Sequence, residues 1–496
     1  MGGSVYRIAR DNRLPTFLDA WVPRSRSVPA PALGRPVPVG RHAFPGPNDG
    51  RGLLAALSCA AAMVDRRGRY LVVGAGPSGL AAARWMTACA VPFDLVERQR
   101  DVGGIWDIQA SGSPMYESAH FISSKTLSAF RDWPMPESYP DYPSHRQVLS
   151  YLRAYADRHD VRPRAEFGVE VVSARPASPG NGTGSEWLVE LATGERRRYD
   201  GVILATGLQW IPRVPAIPGR FDGETLHSSA FRTPALAQGR RILVVGGGNS
   251  GCDIAVDVSR TASRAFLSLR RGYWFVPKHL FGVPADVFGH RGPELPRWLE
   301  QAVFERLLRL LVGDLARLGL PAPDHRLFET HPVLNTQVLH ALGHGELTVK
   351  PDVRALRGPR VLFADGSEED VDVVIFATGY RRVLPVLGPE LHREGDVSDL
   401  FLNLRHRRHP TLFVLGFFET DAGCFPLVDL QAELVARLLR AQRDAPARLA
   451  RFERRSSGPP PDFSDGVRFL GVERMSNYVR SRPYARYLEQ AIRELA

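Results

Sequence analysis

Lysine and cysteine are scarce in this chain of 496 residues, and long apolar runs are missing. Only three of the 64 basic residues are lysine; the arginines are dispersed, so the net charge of +11 predicts a solvated surface and no nucleic-acid partner. The four cysteines lie far apart without a Cys-x-x-Cys pair, which predicts neither a disulfide framework nor a metal cluster and favours a reducing, cytoplasmic location. Because no apolar run approaches ~18 residues, we expect no membrane span.

The first 66 residues differ in composition from the rest. The first fifty contain eight prolines, seven arginines and three acids, with no helical or strand period. We interpret residues 1–66 as a disordered arm. A mis-assigned start is a second interpretation, because Met63 leads directly into the first predicted strand, and a transit peptide is a third.

A buried strand at residues 71–73 runs into the glycine-rich turn Gly-Ala-Gly-Pro-Ser-Gly, with G-x-G-x-x-G spacing. A helix is predicted over residues 80–90, and a second strand over 93–96 ends in Glu97, 23 residues after Gly74. Such a turn brings backbone N–H groups close to a pyrophosphate, and the carboxylate accepts hydrogen bonds from a ribose diol. This unit predicts a dinucleotide with a free ribose 2′-hydroxyl. Its site residues are Gly74, Ala75, Gly76, Pro77, Ser78, Gly79 and Glu97.

The same pattern returns in the middle of the chain. A strand over Arg241 to Val245 enters a turn with Gly246, Gly248 and Gly251, a helix is predicted over 249–259, and the strand over 265–269 ends in Arg270 and Arg271. Arg270 takes the place that Glu97 has in the first unit. A guanidinium there binds the 2′-phosphate that a carboxylate repels, which predicts NADPH; a surface arginine pair is the alternative. Two sites of opposite preference predict bound FAD that NADPH reduces.

These loops and the stretches around them resemble the flavin-containing monooxygenases from about Arg69 to Leu495. The most specific stretch, Phe221 to Phe231, is close to the family linker F-x-G-x-x-x-H-x-x-x-Y. The other similar stretches are Gly103–Trp106, Leu204–Gly207, Asn249–Asp253, Pro332–Asn335, Phe376–Tyr380, Phe425–Ala432 and Ser476–Val479. The resemblance implies an α/β fold with two Rossmann-like dinucleotide-binding domains, an FAD domain with an inserted NADPH domain.

The resemblance also implies site residues. It places FAD contacts at the first loop, Glu97, Ile105, Trp106 and Gln431, and NADPH contacts at Ser250, Gly251, Asp253 and Arg271. Further cofactor-binding positions are Gly104, Ile122, Ser123, Thr206, Gly207, Asn249, Thr378 and Gly379. His227 is expected near the hinge between the domains, with a satisfied interior imidazole as the alternative. Trp106 has a core-aromatic alternative, and Asp253 has a helix-dipole alternative.

The expected domains are 67–215 (FAD-binding, first part), 216–380 (NADPH-binding, with a helical insertion at about 273–345) and 381–496 (FAD-domain return with C-terminal helices).

Apolar residues recur at helical spacing from Leu295 to Leu318, which favours core packing or a lid over the substrate, with a membrane-surface or dimer face as the alternative. Strands at 347–349, 360–363 and 372–376 are expected to complete the nucleotide sheets. Further predicted elements are a strand at 412–415 and helices at 429–439 and 484–495.

The function implied by the resemblance is an FAD- and NADPH-dependent monooxygenase. It inserts one oxygen atom from O₂ through a C4a-hydroperoxyflavin, at a soft nitrogen or sulfur centre of a small organic substrate. The flavin carries the chemistry, so no catalytic side chain is predicted. The expected partners are the substrate and O₂, and the sequence leaves a homodimer open.

Two departures from the family pattern bear on this function. Phe231 replaces the linker tyrosine; since Baeyer–Villiger enzymes have tryptophan there, it favours the heteroatom-oxidising branch. Ile122 replaces an asparagine that the family places against flavin and nicotinamide, and isoleucine can neither donate nor accept a hydrogen bond. Baeyer–Villiger oxygenation of ketones, an NADPH-dependent flavin electron-transfer reductase and a non-catalytic cofactor-binding protein therefore stay as alternatives.

Overall fold

The computed structural model describes residues 63–178, 186–291 and 296–496. Most of the predicted arm, residues 1–62, lies outside this part of the chain. The disordered-arm interpretation is wrong for its last residues, because Met63–Asp65 is a strand that pairs in parallel with Arg196–Tyr199. Hydrogen bonding to the neighbouring strand orders this segment.

A seven-stranded sheet carries the first glycine-rich turn. Its strand order is Leu400–Phe401, Arg405–His406, Leu412–Val414, Gly201–Leu204, Tyr70–Val73, Phe93–Glu97 and Ala165–Phe167. The last five strands in this order are mutually parallel. Every residue of the central strand Tyr70–Val73 is buried, which explains its continuous apolar sequence.

A second sheet of five parallel strands carries the second turn. Its order is Glu224–His227, Val373–Phe376, Arg241–Val245, Arg264–Ser268 and Thr348–Lys350. Four of these strands lie within one residue of the predicted bounds. Arg360–Phe363 is also a strand, but the prediction that it completes a nucleotide sheet is wrong. It belongs to a separate sheet because it forms a hairpin with Val353–Gly358.

The remaining elements surround these two sheets. The separate sheet has the order Glu368–Asp370, Arg360–Phe363, Val353–Gly358, Gly219–Phe221, and a further sheet has the order Met63–Asp65, Arg196–Tyr199, Trp187–Leu191, Val171–Pro176. Two strand pairs are His279–Leu280 with Val283–Pro284, and Glu419–Thr420 with Tyr478–Val479. The α-helices are Pro77–Ala88, Lys125–Ser128, His145–Arg158, Asn249–Ser259, Ala285–Arg291, Arg297–Val312, Gln337–Gly343, Phe425–Asp444, Pro446–Ser456 and Ser481–Leu495.

The helix Arg297–Val312 of the insertion has few fully buried residues. Only Gln301 and Leu308 on it are buried, whereas Trp298 is 66% and Leu310 is 82% exposed. Core packing, one of the two interpretations that its apolar spacing favours, therefore describes only one narrow face, and the lid over the substrate stays a prediction. Among the helices of the described ranges, none has the length and apolar character that crossing a bilayer requires.

Both glycine-rich turns are closed by the same backbone contact. The first glycine of each turn has a positive φ, +103° at Gly74 and +116° at Gly246. A Cβ on the last glycine would lie 1.7 Å from the carbonyl oxygen of Gly74 in the first turn, at Gly79, and 1.9 Å from that of Gly246 in the second, at Gly251. The helix thus begins against the strand end, where only glycine fits.

A buried carboxylate fixes the helix that follows the first turn. Asp429, in the long helix Phe425–Asp444, is fully buried. It accepts hydrogen bonds from Arg84 Nη1 at 2.9 Å and from Trp85 Nε1 at 2.8 Å, both on the helix Pro77–Ala88. Arg131 Nε donates to its other oxygen at 2.6 Å. This cluster locks the helix Phe425–Asp444 onto the helix that follows the first turn.

Replacing Asp429 with alanine removes the buried carboxylate that Arg84 and Arg131 share, although Arg84 keeps Asp132 and Arg131 keeps Glu433 as partners. We expect the free energy of unfolding to fall by about 2–3 kcal/mol because the hydrogen bonds to a buried carboxylate are lost, measured by urea denaturation of the full chain. Asp444→Ala is the matched control, because Asp444 lies at the exposed end of the same helix with Arg440 and Arg443, and it should change the free energy of unfolding far less than Asp429→Ala does. Equal losses for the two variants would contradict this account of the cluster.

The second turn allows a paired test of its backbone contact. Gly251→Ala places a methyl against the Gly246 carbonyl and should cost about 3 kcal/mol of stability. Gly248→Ala meets nothing within 4 Å at a negative φ, so it should cost about 1 kcal/mol or less. Urea denaturation of both variants checks the ranking, and a Gly251→Ala protein as stable as Gly248→Ala would overturn it.

Candidate functional site

The first turn and the predicted stretch Gly104–Trp106 form one surface. Gly103 N donates to the carbonyl oxygen of Ala75 at 3.1 Å, and the 3₁₀ helix Gly104–Trp106 begins immediately afterwards. A Cβ on Gly76 would lie 3.5 Å from Gly104 Cα, so the two backbones approach closely. The indole of Trp106 packs edge-on against Phe121 with ring centroids 4.7 Å apart. The structure therefore brings these predicted residues together.

The helix Pro77–Ala88 begins without a side-chain cap. Its N-cap is Gly76, and its first turn contains no acidic residue. The amides of Ser78 and Gly79 at such a helix start have no intrahelical acceptor, and the helix dipole adds positive potential there. These features fit a pyrophosphate.

Glu97 lies at the strand end beside this helix start. It is buried, and its Oε2 accepts a hydrogen bond from Ala75 N at 2.5 Å. Its Oε1 accepts from Gln99 N at 2.8 Å. A carboxylate has about four lone-pair positions, so acceptor capacity for ribose hydroxyls remains. The first turn and Glu97 together fit the pyrophosphate and ribose of a dinucleotide.

The second turn presents the same kind of helix start. Gly248 is the N-cap of the helix Asn249–Ser259, without a side-chain cap and without an acid in the first turn. The space around a Cβ on Gly248 is open to 4 Å, which leaves room for a phosphate. The Asn249 side chain faces the protein instead, and its Oδ1 accepts from Leu334 N at 2.8 Å. The residues of this turn also fit a pyrophosphate.

The two arginines after strand Arg264–Ser268 have different surroundings. Arg271 Nη2 donates to Asp324 Oδ2 at 2.9 Å, and Arg271 together with His325 lowers the pKa of Asp324 to about 2. Arg270 is exposed and makes no hydrogen bond or ion pair with any residue that the structure describes. Arg270 is thus the guanidinium available to an anion at this strand end.

Asp253 holds three segments together. Its Oδ2 accepts from the hydroxyl of Tyr116 at 3.0 Å, and its Oδ1 accepts from Asn335 Nδ2 at 2.5 Å. Burial and the neighbouring Asp253 charge raise the pKa of Tyr116 well above its usual value, so the phenol keeps its proton. The side chain bridges the stretch before Ile122, the second-turn helix and the insertion.

The two Ala-Thr-Gly stretches lie at corresponding places. Thr206 and Gly207 follow the strand Gly201–Leu204, and Thr378 and Gly379 follow the strand Val373–Phe376. The preceding alanines contact the turns, since a Cβ on the first glycine would lie 2.7 Å from the Ala205 oxygen in one turn and 2.5 Å from the Ala377 oxygen in the other. Both predicted pairs therefore flank a glycine-rich turn.

The chain crosses between the two sheets along paired segments. Arg213 N donates to Gly379 O at 3.0 Å, and Arg381 N donates to Ile211 O at 2.8 Å. His227 joins this crossing: its Nε2 donates to Gly379 O at 2.9 Å, while its Nδ1 accepts from Ser229 N at 3.1 Å. Burial lowers the pKa of His227, so the ring is neutral. The alternative of a satisfied interior imidazole describes these contacts.

Ile122 and Ser123 lie where the insertion meets the first domain. Ile122 is 39% exposed, and Ser123 Oγ is 2.7 Å from Ser128 Oγ. The next amide, Ser124 N, donates to Asp286 Oδ2 of the insertion at 2.6 Å. The helix Ala285–Arg291 therefore docks beside the position that lacks the family asparagine.

Gln431 is fully buried, and its amide contacts protein groups. Its Oε1 accepts from Gly416 N at 2.9 Å, and its Nε2 donates to the hydroxyl of Tyr484 at 2.7 Å. A Cβ on Gly416 would lie 2.6 Å from Ser78 Oγ, so this backbone packs directly against the first turn. Gln431 thereby positions the wall of the site.

Sequence reasoning missed the residues that connect distant segments. Tyr116 contacts Asp253 of the second-turn helix, while Lys278 and Asp286 contact the segment around Ile122, and each of these partners lies more than a hundred residues away. No local periodicity or motif marks such pairs. Asp253 itself is the one residue here that could have indicated such contacts, because a carboxylate on a helix packed between domains requires hydrogen-bond donors from other segments.

Known monooxygenases are similar in sequence to this chain over about three quarters of its length. The chain is 32% identical over 393 residues to dimethylaniline monooxygenase [N-oxide-forming] 2 of Macaca mulatta, covering 75% of this chain and 73% of that protein. It is 31% identical over 405 residues to flavin-containing monooxygenase 5 of Homo sapiens, covering 76% and 74%.

Solved structures share the fold at lower sequence identity. An epsilon-caprolactone-bound structure of cyclohexanone monooxygenase matches with a TM-score of 0.64 at 19% identity, covering 87% of this chain and 98% of that chain. S-allyl-L-cysteine S-oxygenase from Allium sativum matches with a TM-score of 0.58 at 20% identity, covering 86% and 88%.

The model of the family described as flavin-binding monooxygenase-like matches residues 67–454. The chain belongs to this flavin-binding monooxygenase-like family, and it is an FAD- and NADPH-dependent monooxygenase.

Proposed function

We propose that this monooxygenase binds FAD at the first turn and NADPH at the second, and oxygenates a soft nitrogen or sulfur centre of a small organic substrate. The observation that carries the proposal is the opposite charge at matching strand ends. Glu97 lies beside the first turn, and the unpaired Arg270 lies beside the second. The names of an N-oxide-forming relative and an S-oxygenase neighbour support the substrate class.

When bound and reduced by NADPH, FAD supplies the oxygen activation. The residues of this chain bind and orient the cofactors. The helix starts at Ser78 and Ser250 are suited to the two pyrophosphates, Glu97 to a ribose diol, and Arg270 to a 2′-phosphate. Neutral His227 holds the crossing between the domains without adding charge to the cleft.

The surroundings of Phe231 support the heteroatom class. Phe231 is buried and packs on Tyr116 with ring centroids 5.9 Å apart. An apolar ring at this place can exclude water but cannot donate a proton or stabilise an anion. Oxygen transfer to a soft nucleophile requires no anionic oxygen donor, whereas attack on a ketone does. We therefore place the activity with amines and sulfides.

Two further features belong to the proposal. The paired crossing at residues 211–213 and 379–381 supports a division into domains 67–215, 216–380 and 381–496. Cys89, Cys252 and Cys424 are free thiols, which supports a reducing cytoplasmic environment. We name no catalytic side chain.

Turnover assays test the function. We expect NADPH oxidation with equal O₂ uptake, and an N-oxide or sulfoxide product from tertiary amines or sulfides. Because the Ile122 side chain cannot form a hydrogen bond, part of the O₂ should leave as peroxide, and Ile122→Asn should lower that peroxide fraction.

The alternative functions predict other outcomes of the same assay. Product from ketones alone would indicate Baeyer–Villiger oxygenation. NADPH oxidation that needs an artificial acceptor would indicate a reductase, and no NADPH oxidation would indicate a binding protein.

The coenzyme preference tests the second site separately. Arg270→Ala should lower kcat/KM for NADPH by about 10- to 100-fold and leave that for NADH nearly unchanged, since a charge-assisted phosphate contact is lost. Arg271→Ala is the matched comparison, with a smaller expected effect because Asp324 already occupies that guanidinium. Steady-state kinetics with both coenzymes measure this. An unchanged NADPH-to-NADH ratio in Arg270→Ala would refute the role of Arg270.

A further inference from the structure

One of the three lysines differs from the other two in its partners. Lys125 Nζ donates to backbone carbonyl oxygens, with Glu137 O at 2.8 Å, and Lys350 Nζ forms an ion pair with Glu369 at 2.6 Å. Lys278 Nζ contacts His120 Nε2 and lies 4.9 Å from the ring centre of Tyr142. Within the described ranges, Lys278 has no ion pair with a carboxylate.

The hydrogen-bond partner of His120 Nδ1 determines which atoms carry the protons at this contact. His120 Nδ1 lies 2.9 Å from the carbonyl oxygen of Ser118, which can only accept, so Nδ1 carries the hydrogen. The Nε2 lone pair then accepts from the Lys278 ammonium. An ammonium group has three N–H donors, so two remain for a further acceptor. Their number matches the two oxygens of a carboxylate.

The nearby carboxylates have donors of their own. Asp141 accepts from His279 at 2.9 Å, and Asp286 accepts from Ser124 N at 2.6 Å. Asp253, whose charge acts on Lys278 from a distance, accepts from Tyr116 and Asn335. Burial lowers the pKa of Lys278. The ammonium is therefore partly desolvated, and no carboxylate of the described residues forms an ion pair with it.

Lys278 is held at the border between the insertion and the first domain. The hydroxyl of Tyr142 donates to the Lys278 carbonyl oxygen, and Ala285 N donates to the same oxygen at 2.8 Å. Its partner His120 lies two residues before Ile122, whose side chain is partly exposed. Backbone and side-chain contacts thus fix the Lys278 cation against the segment that leads to Ile122, and the charge of Asp253 on the second-turn helix reaches it.

We propose that the Lys278 ammonium, oriented by His120, binds the carboxylate of the substrate, so that the preferred substrates are small organic acids with a sulfide or amine centre. This rests on the proposed function, because it names the substrate class of that site. The carboxylate takes no part in bond making. Lys278 acts as a specificity-determining residue, with His120 as a positioning residue.

The test uses sulfides in matched charged and neutral forms with the FAD-loaded full chain. The pairs are (methylthio)acetate with (methylthio)acetamide, and para-(methylthio)benzoate with para-(methylthio)benzamide. For at least one pair we expect the acid to bind about 10-fold or more tightly than the amide, in calorimetry and in KM. Lys278→Met keeps the apolar stem and should abolish the preference through KM, with kcat for the amide little changed. Lys278→Arg should retain it.

Lys350→Met is the control for removing a lysine elsewhere, since Glu369 keeps Arg264 as a partner, and it should leave the preference intact. Equal binding of acid and amide by the wild-type protein would overturn the proposal. So would a Lys278→Met protein that loses affinity for both forms alike, or one in which only the KM for NADPH rises. If none of the four sulfides is oxygenated but calorimetry shows the Lys278-dependent preference, the proposed function fails and the carboxylate site stands.

Discussion

The site depends on one steric constraint that occurs twice. In each turn the carbonyl oxygen of the first glycine occupies the space that a side chain of the last glycine would need. The helix can therefore begin directly against the strand end. The backbone amides of its first turn, which have no intrahelical acceptor, lie at that strand end. Since the next strand pairs in parallel with the first, its end lies beside those amides. Backbone geometry thus fixes where Glu97 and Arg270 lie, and their charges distinguish the two sites.

Polar contacts between distant segments then set the two sites relative to each other. The crossing at residues 211–213 and 379–381 is an antiparallel pair that neutral His227 supports. Asp253 joins the second-turn helix to Tyr116 of the first domain and to Asn335 of the insertion. Behind the first turn, Asp429 anchors the helix Phe425–Asp444. Each of these buried groups has its partners, so the cleft is built on satisfied hydrogen bonds rather than on apolar contact alone.

The sequence predicted the two turns well because their signals are local. The strand Arg241–Val245 and the helix Asn249–Ser259 have the predicted bounds, and the strand Phe93–Glu97 ends at the carboxylate. Glycine spacing and a buried apolar strand determine these elements within a short window.

What the sequence could not predict depends on pairing across long separations. Arg360–Phe363 was recognisable as a strand, but its sheet is decided by its hairpin partner, and Met63–Asp65 is ordered by a strand more than a hundred residues later. The apolar spacing of Arg297–Val312 indicated a helix but not that Leu310 would be exposed. Lys278 carried no sequence signal, since its contact with His120 and its lack of an ion pair among the described residues depend on segments far away in the chain. Which side chains contact bound FAD or NADPH stays a prediction.

Anaerobic mixing of the purified FAD-loaded chain with reduced coenzyme tests the central claim most directly. The account predicts one FAD per chain, bleached by one equivalent of NADPH, with NADH at least about 10-fold slower because the 2′-phosphate contact is absent. A chain that takes up no FAD, or a flavin that both coenzymes reduce at the same rate, would contradict it.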